Sequence, residues 1–251
     1  MELPEKFIPE RLYKYRPFDS RTLDLLVSDH VYYADPSNFN DPLDTRPSLK
    51  IDVNDNQLED ILSSFIETRI EAEMNAAAKI IRYTGRKTLE YIQQYSNKQT
   101  KYLIEKILCN VDDSEYDHQD VAFYLGYYIM EELVKQYDKG IIALAERADC
   151  PLMWSHYGDQ HKGLCIGYSV PQHAAKDVHQ VTYGGSRLIE ASKVASMLAR
   201  DDVARRQVDE AVLLRKAESW QYERRVAPDW AAWTSELAVG VGGSDLRNEM
   251  R

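Results

Sequence analysis

The feature that most constrains this chain is a change of hydrophobic period. From about residue 54, Leu58, Ile61, Leu62, Phe65, Ile66, Ile70, Met74, Ala77, Ile80 and Ile81 recur three or four positions apart. That spacing lines apolar side chains along one face of an α-helix. Gly85 closes the stripe, a second helical stretch runs from about Arg86 to Cys109, and a third carries Val121, Leu125, Ile129 and Leu133. On either side of this block the signals are those of strands. Arg11 to Arg16 alternates apolar and basic side chains and stops at Pro17, and strand-like runs return at Val31 to Ala34, Ile141 to Ala145, Gly163 to Tyr168 and Val178 to Tyr183.

These periods predict an α+β fold: a small mixed or antiparallel sheet built from both chain ends, with a large helical insertion. Residues 1–226 are expected to form a single α+β domain with 50–138 inserted as a helical subdomain. Residues 227–251 are expected to form a short helical, poorly ordered tail, because Val239 to Ser244 is rich in glycine. Asp19 or Ser20 is placed to cap a helix carrying Leu23, Leu25, Leu26 and Val27. A polar helical stretch from Ile189 to Ser219 delivers Trp220-Gln221-Tyr222-Glu223, which reads as the start of another strand.

Charge and cysteine usage narrow the classes of function. The formal net charge is −10, which repels nucleic acid phosphates at long range, and the basic pairs Arg205-Arg206, Arg215-Lys216 and Arg224-Arg225 are short. Three cysteines without CxxC spacing predict free thiols rather than a disulfide framework or a cysteine-built zinc site. The N-terminus lacks a secretory pattern, and no apolar run approaches the roughly 20 residues that span a bilayer, so a cytoplasmic protein without a membrane partner is expected.

Several residues carry chemistry, each beside a plainer alternative. Lys14 and Arg16 suit an anionic ligand, or else the solvent face of an edge strand. The loop from Asp35 to Asp44 holds Phe39 among turn formers. Its acids suit Mg²⁺, while Asn40 and Asp41 equally suit an Asx-turn network. His156, His161 and Cys165 have zinc-ligand residue types but no fourth partner, so no metal is predicted. Trp154 and Tyr157 read as core or pocket-wall aromatics. Glu223 is either a carboxylate in an apolar wall or one half of an ion pair. The long helical stripe is core, or an interface with a partner protein or a second copy.

Four segments together resemble a bacterial family known only as a domain of unknown function. They are Leu12-Tyr13-Lys14-Tyr15-Arg16-Pro17-Phe18, Phe39-Asn40-Asp41-Pro42-Leu43-Asp44, Met153-Trp154-Ser155-His156-Tyr157 with His161-Lys162-Gly163-Leu164-Cys165, and Lys216 with Trp220-Gln221-Tyr222-Glu223. A second likeness, to the ADP-ribosyltransferase arrangement, implies an NAD-dependent transferase, in the setting of a toxin or an anti-phage defence effector. By that resemblance Lys14 or Arg16 contacts the dinucleotide, Tyr32 or Tyr33 stacks on nicotinamide, and Glu223 is the catalytic acid. Phe39, Asn40, Asp41, Trp154 and His156 complete the cofactor cleft. The implied partners are a nucleotide-like small molecule and a protein or RNA acceptor. A carboxylate near the ribose would stabilise the oxocarbenium character that develops as nicotinamide leaves. Related sequences carry a second acid two positions later, where this chain has Arg225. Two further classes stay open: a non-catalytic sensor or interaction module for a nucleotide-like ligand, and a metal-dependent nuclease or hydrolase using Asp41, Asp44 and Glu223.

Overall fold

A computed structural model describes residues 9–28, 30–34, 39, 41, 44–83, 85, 87–112, 121–137, 141–170 and 178–228. In chain order the elements are β1 (Arg11–Arg16), α1 (Ser20–Val27), β2 (Ser48–Lys50), α2 (Asp55–Ile80), α3 (Thr88–Asp112) and α4 (Val121–Gln136). Then come β3 (Leu144–Ala145), α5 (Pro151–Tyr157), β4 (Leu164–Ser169), β5 (Val178–Gln180), β6 (Thr182–Tyr183), β7 (Leu188–Glu190) and α6 (Ala191–Leu198). The last are α7 (Asp202–Leu213), β8 (Arg215–Lys216), a 3₁₀ helix (Glu218–Glu223) and β9 (Arg225–Pro228). Contacts divide the chain into two units, the first from residues 1–45, 138–186 and 213–251, the second from 46–137 and 187–212.

The first unit is built on an antiparallel sheet of order β4-β1-β3-β9-β5, drawn from both ends of the chain as the strand periods imply. β1 is its longest ladder, pairing with β4 from Arg11↔Ser169 to Arg16↔Leu164. One face buries Leu12, Ile142, Leu144, Val178 and Val226, with Tyr33 and Tyr168 packed against them. A second cluster gathers Tyr15, Ala145 and Met153, joined by Trp154 and Tyr157 of α5 and by Tyr222 of the 3₁₀ helix. Asp19 caps α1, its side chain accepting from the Thr22 amide at 2.7 Å.

Four sequence expectations are corrected in this unit. Val31 to Ala34 forms no strand, because its ladder is a single bridge between Ala34 and Ile141. Val178 to Tyr183 is not one strand: it divides into β5 and β6, with the Val181 amide between them donating to the Arg225 carbonyl at 2.9 Å. Trp220 to Glu223 belongs to a 3₁₀ helix, whose i+3 amide bonds (Trp220 to Ala217, Arg224 to Gln221) defer the strand to Arg225. That strand runs through Pro228, two residues into the stretch expected as a tail, because Ala227 pairs with His179 and is buried. The remainder of the tail, 229–251, lies outside the described residues.

The second unit is mainly helical. A capping box of Asn54 and Gln57 opens α2, and Leu58, Ile61, Leu62, Phe65, Ile66 and Ile70 are its buried stripe. The stripe packs against α3 and α4, the latter burying Ala122, Leu125, Ile129 and Leu133. Burial ends there: Ile80 and Ile81 are 82% and 71% exposed, so the last turns of the periodic stretch are not core. The expected single helical stretch from Ile189 to Ser219 is broken. Arg200 takes a left-handed φ of 67°, and Asp201 accepts from the Val203 and Ala204 amides to start α7 afresh. Residues 187–212 of that stretch, including parallel strand β7 beside β2, belong to this second unit.

Two glycines test the packing in opposite directions. A Cβ on Gly163, at the entry to β4, would sit 2.2 Å from the Arg16 carbonyl oxygen and 2.8 Å from that of Gly158. Gly163→Ala is expected to destabilise the protein by about 1–3 kcal/mol or more, as overpacking does. A Cβ on Gly126, inside α4, would meet Ile51 at an ordinary 3.5 Å. Gly126→Ala should therefore stabilise by about 0.5–1 kcal/mol through helix propensity. Urea unfolding midpoints of the two variants check both signs.

Candidate ligand-binding site

Three short elements close to one another in sequence bring the site's charges together. Parallel pairing of β8 with β6 (Tyr183↔Lys216) fixes Lys216. The 3₁₀ helix then turns the chain back and ends on Glu223. Arg224 takes a left-handed conformation (φ 40°, ψ 57°), so the next residue, Arg225, enters β9 in register with Ala145. Ala145 pairs in turn with Tyr13, which places Tyr13, Ala145 and Arg225 side by side across three strands. The Tyr183 hydroxyl accepts from the Arg225 amide at 2.8 Å and holds that corner.

Glu223 lies at the centre and is 1% exposed. Its Oε1 accepts from the Tyr157 hydroxyl at 2.7 Å and is ion-paired with Arg225 Nη2 at 2.9 Å, and its Oε2 accepts from Lys216 Nζ at 3.2 Å. A carboxylate removed from water is stable only when such donors replace its hydration. Lys216 also binds Asp44 Oδ2 at 2.6 Å and lies 5.7 Å from the centre of the Trp220 ring. Burial raises the Asp44 carboxyl above its ordinary value despite that contact with Lys216. The Arg225 guanidinium rests 4.5 Å over the Tyr157 ring. Lys216 thus stands between Asp44 and Glu223.

Beside this network is a cavity of about 140 Å³ whose lining includes Tyr13, Lys14, Phe39, Asp44, Tyr157, Lys216 and Arg225. Lys14 shares a strand with Leu12 and pairs across to Ile166. Its Nζ donates to the Ala143 carbonyl at 2.9 Å, and among the described residues it has no carboxylate within ion-pair distance. Desolvation first, then the charges of Arg225, Arg16 and Lys216, lower its pKa to about 7, with Glu223 opposing.

The residues singled out from the sequence are placed as follows. Lys14 and Phe39 line the cavity, and Glu223 lies in the ion-pair network against Lys216 and Arg225 of its wall. Arg16 is 5.6 Å from the centre of the Tyr32 ring, over which Arg21 also lies. Tyr33 packs into the apolar core, where burial raises its pKa to about 12. Trp154 donates to the Ala148 carbonyl and meets Tyr15 edge-on. His156 is exposed, 6.1 Å from the rings of Trp220 and Tyr222, and Asp41 accepts from Trp220 Nε1 at 3.0 Å. Asn40 lies outside the described residues. Sequence reasoning did not assign Arg225 or Lys216 to the site. The available signal was Lys216 in the same motif as Glu223, and a base at 225 where an acid was expected.

A family model described as "Protein of unknown function (DUF2971)" matches residues 153–225. That segment contains Tyr157, Lys216, Glu223 and Arg225, while Lys14 precedes it. The resemblance to a domain family of unknown function is therefore shown over this stretch. No curated protein and no solved structure matches the chain. No helix among the described residues is long and apolar enough to cross a membrane.

Removing one member of a buried ion network leaves its partners uncompensated. Glu223→Gln is expected to destabilise the protein by about 3 kcal/mol or more, read from the urea midpoint. Adding Arg225→Met should recover part of that loss, because the unpaired guanidinium is then gone. Strictly additive effects of the two changes would show that the pair is not coupled.

Proposed function

We propose that the first unit binds a small anionic ligand of nucleotide-like chemistry, with the cavity receiving its phosphate or carboxylate. The observation that carries this is Lys14. The charges of Lys216 and Arg225 are offset by Asp44 and Glu223. Lys14 has a carbonyl as its partner and cations as neighbours, so its protonated form gives the cavity an excess of positive charge. An arriving anion restores the missing counter-charge. The volume supports an anionic end group rather than a whole dinucleotide, since pockets that engulf drug-sized ligands run about 300–1,000 Å³.

The resemblance to ADP-ribosyltransferases makes NAD a ligand to test, with turnover a separate question. Transfer requires a Glu223 oxygen to face the ribose, and both oxygens are engaged by Tyr157, Lys216 and Arg225. Binding requires no rearrangement of that network, which favours the sensor reading over the transferase one. Release of nicotinamide from NAD by the wild-type protein, lost in a folded Glu223 variant, would reverse that preference.

The pH dependence has a definite sign. Below about pH 7 Lys14 is already charged, so the affinity for an anion is flat. Above it, binding must take up a proton, and affinity falls by up to about tenfold per pH unit. Calorimetric titrations with sulfate and ADP-ribose, whose charges are constant across this range, are expected to show weaker binding at pH 9 than at pH 6. Lys14→Met should remove most of that difference. Affinity that is unchanged, or that rises with pH, would refute the assignment.

A further inference from the structure

Lys14 carries a second chemical capacity that anion binding leaves unused. Lys14 and Ala143 both line the cavity, and among the described residues the Lys14 amine donates one hydrogen bond, to the Ala143 carbonyl. Charged and titratable groups face this region from each neighbouring element: Arg16, Tyr13 and Tyr15 from β1, Arg225 from β9, Lys216 from β8, Glu223 from the 3₁₀ helix, Tyr157 from α5, and Asp44. The three basic groups disfavour an ammonium at this position, and burial does so more strongly. At pH 7 about half of the Lys14 side chains are free amine, whereas for an ordinary lysine the fraction is smaller by roughly a thousandfold. An uncharged amine in a recess flanked by cations is how proteins make lysine a nucleophile toward carbonyl carbon.

Resting on the anion-binding reading, we propose that Lys14 forms an imine with a small aldehyde- or keto-acid whose anionic group lies against Arg225 and Lys216. The Nζ lone pair forms a bond to the carbonyl carbon while the carbonyl π pair moves to oxygen. The nitrogen passes a proton to that oxygen, giving a neutral carbinolamine. The carbinolamine hydroxyl takes a proton from solvent, the nitrogen lone pair forms the C=N bond as the C–O pair leaves with water, and a protonated imine remains. No electrons are gained or lost overall. The iminium keeps a positive charge beside the ligand's anionic group, and a cavity of about 140 Å³ has room for a small acid.

The test is reductive trapping of the whole chain with glyoxylate, and separately pyruvate, at pH 7. Cyanoborohydride serves as the added hydride donor, and peptide mapping locates the adducts. Lys14 is expected to acquire a carboxymethyl group from glyoxylate at least about a hundredfold faster than exposed lysines such as Lys50 and Lys135. Saturating sulfate should slow the reaction at Lys14 alone. Lys14→Arg should lose that adduct and keep sulfate binding, which shows that the variant is folded. Sulfate binding with uniform or absent labelling of Lys14 overturns the imine and leaves the anion reading standing. Failure of the wild-type protein to bind sulfate overturns the anion reading, and the proposal falls with it.

Discussion

The site depends on a carboxylate that water barely reaches. Glu223 is tolerated inside the first unit only because α5, β8 and β9 each contribute a donor to it, through Tyr157, Lys216 and Arg225. Each donor is already positioned by backbone pairing or by a ring contact, so the acid acts as a tie between elements of independent origin. Asp44 extends the tie through Lys216. Among the described residues of the cavity wall, Lys14 has no carboxylate at ion-pair distance, and the chemistry proposed for the cavity follows from that.

The second unit shows the same physics with a different balance. Glu132 of α4 is also nearly buried, but it receives Arg69 Nε at 2.7 Å, Arg69 Nη2 at 3.2 Å and Lys135 Nζ at 2.8 Å. Burial pushes its pKa upward, yet these contacts more than reverse that and hold it below the ordinary glutamate value. At Asp44 the balance goes the other way, and burial outweighs one lysine. Lys14 is the mirror case: among the described residues it has no carboxylate at ion-pair distance, and burial and cationic neighbours move it toward its neutral form against the opposing charge of Glu223. These contrasts separate an ion pair that braces helices from charges left available to a ligand.

Much of the fold is legible in the sequence because hydrophobic period reports local geometry. The alternation of Arg11 to Arg16, the Asp19 cap and the stripe from Leu58 to Ile70 all correspond to described elements. Where period and chain direction part company, the sequence misleads. Trp220 to Glu223 has the aromatic content of a strand, yet its amides bond three residues back. The break at Arg200 and Asp201 is set by a left-handed residue and a side-chain cap rather than by hydrophobicity. In the site, Lys14, Phe39 and Glu223 were legible by residue type. The roles of Lys216 and Arg225 were not, because an ion pair between elements depends on register and turn geometry that spacing does not encode. Arg225 in particular looks like a lost acid in sequence, whereas in space it is Glu223's partner.

Burial, and then the cations around it, bring the pKa of the Lys14 amine down to about 7. The most direct measurement follows the ¹³Cε resonance of Lys14, assigned by comparison with Lys14→Arg, through a pH titration of the ligand-free protein by nuclear magnetic resonance. A midpoint near pH 7 is expected. A midpoint near 10.4, the value of a lysine in open solvent, would contradict the account, because the cavity would then neither disfavour the ammonium nor select for the group that restores its charge.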